Sequence, residues 1–172
     1  MSNTKSIFLV GPMGAGKTTL GKRLAKALRR EFLDSDHVIE ERTGVDIPYI
    51  FEKEGEEGFR KREAATIDEL TQLPEVVLAT GGGAVRREEN RRNLINRGIV
   101  VYLETPVELQ VSRTSRCENR PLLAVEDRYA KLAELYEKRH PLYQEVADIT
   151  VRTGKESAAA LCKRILAEVD AL

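Results

Sequence analysis

Residues 7–18 read Ile-Phe-Leu-Val-Gly-Pro-Met-Gly-Ala-Gly-Lys-Thr, and the reading of this stretch decides the fold. An apolar run, Ile7–Val10, leads into Gly11–Thr18, which has the spacing Gly, four residues, Gly-Lys-Thr. A helix-forming stretch, Lys17–Arg30, follows directly. Strand, glycine loop and helix in that order are the setting a P-loop requires. The glycines let successive backbone N–H groups point into one concavity, and the start of the helix adds the positive end of its dipole. Such a loop binds phosphate. Lys17 is placed to reach the β- and γ-phosphates of a nucleoside triphosphate, and the Thr18 hydroxyl to sit on Mg²⁺.

Outward from the loop, short runs rich in Val, Ile and Leu recur at Glu31–Leu33, Val76–Ala79, Ile99–Leu103 and Ile149–Arg152. They are continuous rather than alternating, as in strands covered on both faces. Helical stretches separate them: Ser35–Thr43, Glu57–Thr71, Glu88–Arg97, Pro106–Thr114, Asp127–Arg139 and Glu156–Asp170. Thr105-Pro106-Val107-Glu108 reads as a helix start, with Thr as N-cap, Pro in the first turn and Glu closing a capping box. This alternation predicts an α/β protein, a parallel sheet with helices on both faces. Ser115–Glu126 breaks the rhythm, being polar and carrying Arg116, Arg120 and Pro121, and is expected to be a mobile lid loop.

Bulk properties narrow the class. The 172 residues are expected to form one domain. Lys plus Arg and Asp plus Glu number 28 each, which removes the electrostatic case for a nucleic-acid binder. No apolar run approaches the ~20 residues of a membrane span. Cys117 and Cys162 have no metal-ligand spacing and read as reduced thiols, so a cytoplasmic protein is expected.

In an open α/β sheet, ligands collect at the carboxyl ends of the strands. Three further features fall there. Leu33-Asp34-Ser35-Asp36 follows the second strand. Extended geometry through Asp36 would put both carboxylates on one side, about 7 Å apart, fit for a metal and an acceptor hydroxyl. The competing reading is that one residue of this group simply caps the next helix. Gly81-Gly82-Gly83 follows the third strand and leaves room for close backbone approach. Arg60, Arg120 and Arg139 stand in unusual company. Glu63 is placed to hold Arg60 by an i, i+3 pair, and Pro141 is expected to put Arg139 near a helix end.

Taken in order, Gly11–Thr19, Asp34-Ser35-Asp36, Gly55–Glu63 (GEEGFRKRE), Ala79–Val85 (ATGGGAV), Arg120-Pro121-Leu122-Leu123 and Arg139–Tyr143 (RHPLY) resemble the shikimate kinase family from Ile7 to about Arg152. The resemblance implies a three-layer P-loop fold like that of nucleoside monophosphate kinases, with a five-stranded parallel sheet of order 2-3-1-4-5. It implies transfer of a phosphoryl group from ATP, with Mg²⁺, to the 3-hydroxyl of shikimate in aromatic amino-acid biosynthesis, by a monomer. It implies a substrate-binding helical segment over about 35–63. It assigns Gly14, Ala15, Gly16, Lys17, Thr18, Thr19, Arg113 and Arg120 to ATP, and Thr18 with Asp34 (through water) to the metal. To the substrate it assigns Asp36, Phe51, Phe59, Arg60, Glu63, Gly81, Gly82, Gly83 and Arg139. Lys17, Asp36 and Arg120 are the implied catalytic residues.

Two rival readings remain. One is another P-loop kinase, for gluconate or a nucleoside monophosphate, which should lack the Asp-x-Asp and Phe-Arg-x-x-Glu pairing with three glycines. The other is a nucleotide-dependent switch. The chain has no Asn-Lys-x-Asp motif for guanine, and the arginines would have no purpose in a switch.

Overall fold

The protein is seen here as a computed structural model that describes residues 4–115 and 127–172. Five strands, β1 (Ser6–Val10), β2 (Phe32–Asp34), β3 (Val77–Ala79), β4 (Gly98–Glu104) and β5 (Ile149–Arg152), form one sheet of order β2-β3-β1-β4-β5. Every neighbouring pair is parallel, as expected from the sequence. Around the sheet lie α1 (Lys17–Leu28), α2 (Ser35–Thr43), α3 (Ile47–Leu70), α4 (Glu88–Arg97), α5 (Val107–Thr114), α6 (Arg128–Val146) and α7 (Ala158–Asp170).

The strand pattern explains the layering. Side chains alternate across a strand, so a run apolar at every position must be covered on both sides. In β1, Ile7 and Leu9 join Leu20, Leu24 and Ala25 of α1 and Leu161, Ile165 and Val169 of α7 in one cluster. Phe8 and Val10 point the other way, into a cluster with Leu70 of α3, Leu94 of α4, and Tyr143 and Val146 of α6. β4 divides likewise, with Val101 and Leu103 on the first face and Val100 and Tyr102 on the second. Since all strands run the same way, the turns after β1, β2 and β3 emerge at one edge.

Several local expectations are corrected. α3 begins at Ile47, ten residues before the expected Glu57, because the Asp46 carboxylate accepts from Tyr49 N at 3.0 Å and caps it. Gly55, at φ 73° and ψ 176°, is non-helical and divides α3 into two arms. Arg139 is inside α6 rather than near its end. Pro141 denies Glu137 its i+4 donor, but burial of Tyr143 and Val146 beyond the proline carries the helix on to Val146. Thr105 does not cap α5. Its buried hydroxyl pairs with that of Thr153 at 2.6 Å, and Pro106 occupies the cap position without a side-chain bond. The expected lid, with Arg116, Arg120 and Pro121, lies outside the described residues apart from Ser115, as does Cys117. No helix among the described residues is long and apolar enough to cross a membrane.

Leu24, with no exposed surface, ties α1 to the sheet. Leu24→Ala is expected to cost about 2–5 kcal/mol of unfolding free energy in urea titration, and a loss below about 1 kcal/mol would contradict this packing.

Candidate active site

The loop after β1 is shaped by two left-handed glycines, Gly14 at φ 81° and Gly16 at φ 90°, the second being the N-cap of α1. Lys17, the first residue of the helix, donates from Nζ to the carbonyls of Gly11 at 2.6 Å and Pro12 at 2.9 Å. Arg113 of α5 closes the other side, donating to Gly14 O at 2.9 Å.

The two aspartates behave differently from the extended pair considered above. β2 stops at Asp34, whose Oδ1 accepts from Asp36 N at 2.9 Å and His37 N at 3.3 Å, making it the N-cap of α2. The backbone therefore turns at Ser35, and strand periodicity does not relate the two carboxylates. Asp34 Oδ2 accepts from Thr18 Oγ1 at 3.2 Å, so a hydroxyl and a carboxylate meet beside the phosphate loop. Hard oxygen donors of this kind suit Mg²⁺, which needs few protein ligands when phosphates and water complete its shell. Asp36, two residues on, faces the glycine loop. The P-loop, Asp34, Asp36, Gly81 and Arg113 all line one cleft of about 400 Å³.

The role of the three glycines is steric. A Cβ on Gly81 would lie 2.8 Å from Asp36 Oδ1 and 2.9 Å from Glu63 Oε2. One on Gly82 would lie 3.4 Å from Arg139 Nη1, and one on Gly83 2.7 Å from Arg60 Cζ. Each glycine gives up its side chain to a different charged group. The loop is tied to its surroundings by Gly81 N donating to Ser35 Oγ at 3.3 Å and by Tyr143 Oη donating to Gly82 O at 2.5 Å.

Arg60, Glu63 and Arg139 are all buried, with Arg60 at 7% exposure, Glu63 at 1% and Arg139 at 3%, so their charges are balanced within the protein or by a ligand. Arg60 Nη1 meets Glu63 Oε1 at 2.9 Å, the i, i+3 pair expected from the sequence. Burial pushes the Glu63 carboxyl up from its ordinary value, while Arg60 and then Arg139 pull it back. Burial likewise lowers Arg139, and the Arg60 charge adds to that. Arg60 Nε and Arg139 Nε and Nη2 are buried donors without a hydrogen-bond partner. Buried donors left unfilled are costly, and a ligand carboxylate would supply the missing acceptors.

Phe59 packs behind Arg60, its ring 5.2 Å from Arg60 Cζ and 5.0 Å from the Phe51 ring, in a cluster with Ile39, Ile47 and Ile50. Thr19 is exposed on the first turn of α1. Arg120 lies outside the described residues. His37, Glu40, Ile47 and Thr80 line the cleft and were not singled out from the sequence. Asp46-Ile47-Pro48 carried a signal for Ile47, an N-cap followed by a first-turn proline. Removing Glu63 leaves two buried guanidinium groups facing one another. Glu63→Ala is expected to lose about 3–5 kcal/mol in chemical denaturation, and a change under about 1 kcal/mol would show that the three charges are not coupled.

A family model described as shikimate kinase matches residues 13–170. A shikimate kinase of Vibrio parahaemolyticus is 56% identical over 166 residues, covering 96% of each chain. Among solved structures, shikimate kinase from Acinetobacter baumannii in complex with shikimate superposes with a TM-score of 0.94 at 57% identity, covering 96% of this chain and 92% of that one. A gluconokinase from Sinorhizobium meliloti has a TM-score of 0.59 at 16% identity, over 98% of this chain and 93% of that one, a likeness of fold alone.

Proposed function

The chain belongs to the shikimate kinase family, and from that premise we propose that it transfers the γ-phosphoryl group of ATP to the 3-hydroxyl of shikimate. One observation carries the choice of acceptor: the unfilled donors of Arg60 and Arg139, buried against the three-glycine loop whose first residue, Gly81, lines the phosphate cleft with Asp36. A substrate of this kind needs a carboxylate at one end and a hydroxyl at the other. Planar guanidinium groups bind carboxylates in fixed geometry, which orients the ring and aims the hydroxyl at the P-loop. A nucleoside monophosphate has no carboxylate for this end of the cleft.

Each residue has a distinct task in this reading. The loop amides and the α1 N-terminus hold the phosphates, and Lys17 leaves the Gly11 and Pro12 carbonyls to follow the γ-phosphate. Thr18 would hold Mg²⁺, with Asp34 reaching it through water; the ion supplies charge neutralisation between the phosphates. Phosphoryl transfer passes through a loose transition state in which the acceptor loses its proton late. An aspartate, with a reference pKa of about 3.9, is a weak base toward an alcohol. Asp36 therefore aligns the hydroxyl and takes its proton at the end of transfer. Orientation by Arg60 and Arg139 and charge stabilisation by Lys17 supply the larger share of the rate.

ADP release with ATP and Mg²⁺, measured across shikimate, gluconate and nucleoside monophosphates, is expected to respond to shikimate alone; a larger kcat/KM with another acceptor would overturn the assignment. The residues separate kinetically. Arg139→Ala is expected to raise the KM for shikimate by roughly 10- to 100-fold, the effect of a hydrogen bond to a charged group. Lys17→Ala should depress kcat by roughly 10²–10³. Turnover near wild type in Asp36→Asn would refute the role given to Asp36.

A further inference from the structure

Tyr143 was part of the Arg139–Tyr143 motif in the sequence, yet the mechanism above gives it no task. It lies four residues beyond Arg139 on α6, one turn along the same helix face, and is buried with 1% of its surface exposed. We propose that Tyr143 is a positioning residue whose hydroxyl locks the Arg139 guanidinium to the three-glycine loop and so sets how tightly the substrate carboxylate is held. The proposal rests on the reading of Arg60 and Arg139 as the carboxylate site.

The phenol has one proton to give. It goes to Gly82 O at 2.5 Å. The lone pairs are then left for the Arg139 guanidinium, carried one helical turn back on α6. Gly82 is also the residue whose Cβ would approach Arg139 Nη1. Hydroxyl, loop carbonyl and guanidinium thus form one compact unit. Arg139 has need of such a tether. Its Nε and Nη2 are without partners inside the protein, and a long side chain held by few bonds keeps rotamer freedom that ligand binding must then remove.

The phenol is suited to the task in two further ways. Burial pushes it up to about 12, so it remains a donor at any pH at which the enzyme would work. Its ring cannot swing away, because it stacks on Tyr102 with centroids 4.8 Å apart. Tyr102 is anchored in turn by its hydroxyl at 2.8 Å from His140 Nδ1, and His140 stacks on Tyr136 at 4.8 Å. The aromatic ladder fixes the ring, and the hydroxyl at its end fixes the arginine.

This separates the ring from the hydroxyl experimentally. Tyr143→Phe keeps the stack and removes only the bond. Its melting temperature is expected within a few degrees of wild type. The Kd for shikimate, by calorimetry, and the KM for shikimate should both rise about tenfold, with the KM for ATP and kcat changed by less than about threefold. In an Arg139→Ala background the same change should alter shikimate KM by less than about twofold, since the group through which Tyr143 acts is gone. Independently of any variant, the Tyr143 resonance of wild-type protein labelled with ¹³C at tyrosine Cζ should move on adding shikimate and stay in place with ADP alone. Unchanged shikimate affinity in Tyr143→Phe, an undiminished tenfold loss in the Arg139→Ala background, or a Tyr143 resonance indifferent to shikimate would each overturn the proposal. A wild-type enzyme that phosphorylates shikimate alongside any of these results refutes only the role of Tyr143. Failure of the wild type to bind or phosphorylate shikimate refutes the carboxylate reading as well.

Discussion

Burial of Arg60, Glu63 and Arg139 against a loop that has no side chains is the constraint around which the rest of the structure is arranged. Removing charged groups from water costs several kcal/mol per ion, and attraction offsets this only when the geometry is close. The second arm of α3 supplies two of the groups one turn apart, α6 brings the third from a remote part of the chain, and the turn after β3 lies between them. Side chains at positions 81–83 would wedge these elements apart. The break at Gly55 divides α3 ahead of the arm that carries Arg60 and Glu63.

The proposed function asks the site to receive anions at two ends built on different physics. At the P-loop, charge is received by backbone N–H groups and a helix dipole, a diffuse and geometrically tolerant field that suits the several oxygens of a polyphosphate. At the other end, guanidinium groups offer paired donors in a fixed plane, which suits a single carboxylate. Asp36, near Gly81, lines the cleft between the P-loop and the three-glycine loop.

Features that depend on neighbours in sequence were legible, and those that depend on neighbours in space were less so. The doubly buried strands showed themselves as unbroken apolar runs, and Gly11–Thr18 with its flanks identified the first βα turn. The Arg60–Glu63 pair followed from an interval of three. By contrast, Thr105 looked like a cap because nothing local reveals that Thr153 takes its hydroxyl. Pro141 looked like a terminus because the burial of Tyr143 and Val146 is a tertiary fact. The purpose of each glycine in 81–83 was legible only in kind: the spacing asked for close approach, but which charged group approached which glycine required the fold.

The Asp34–Asp36 segment shows how one change of backbone state divides labour between like residues. Had the strand persisted, both carboxylates would have faced the same way, and two negative charges would have competed for one position. The turn to helix at Ser35 instead spends Asp34 on structure: Oδ1 is fastened by two backbone N–H groups and Oδ2 is steered to Thr18. Asp36, at the second position of α2, is swung toward Gly81, while Ser35 between them ties the helix start to the same loop. A capping interaction, ordinarily a matter of about 1 kcal/mol of helix stability, here separates the carboxylate beside the P-loop from the one beside Gly81.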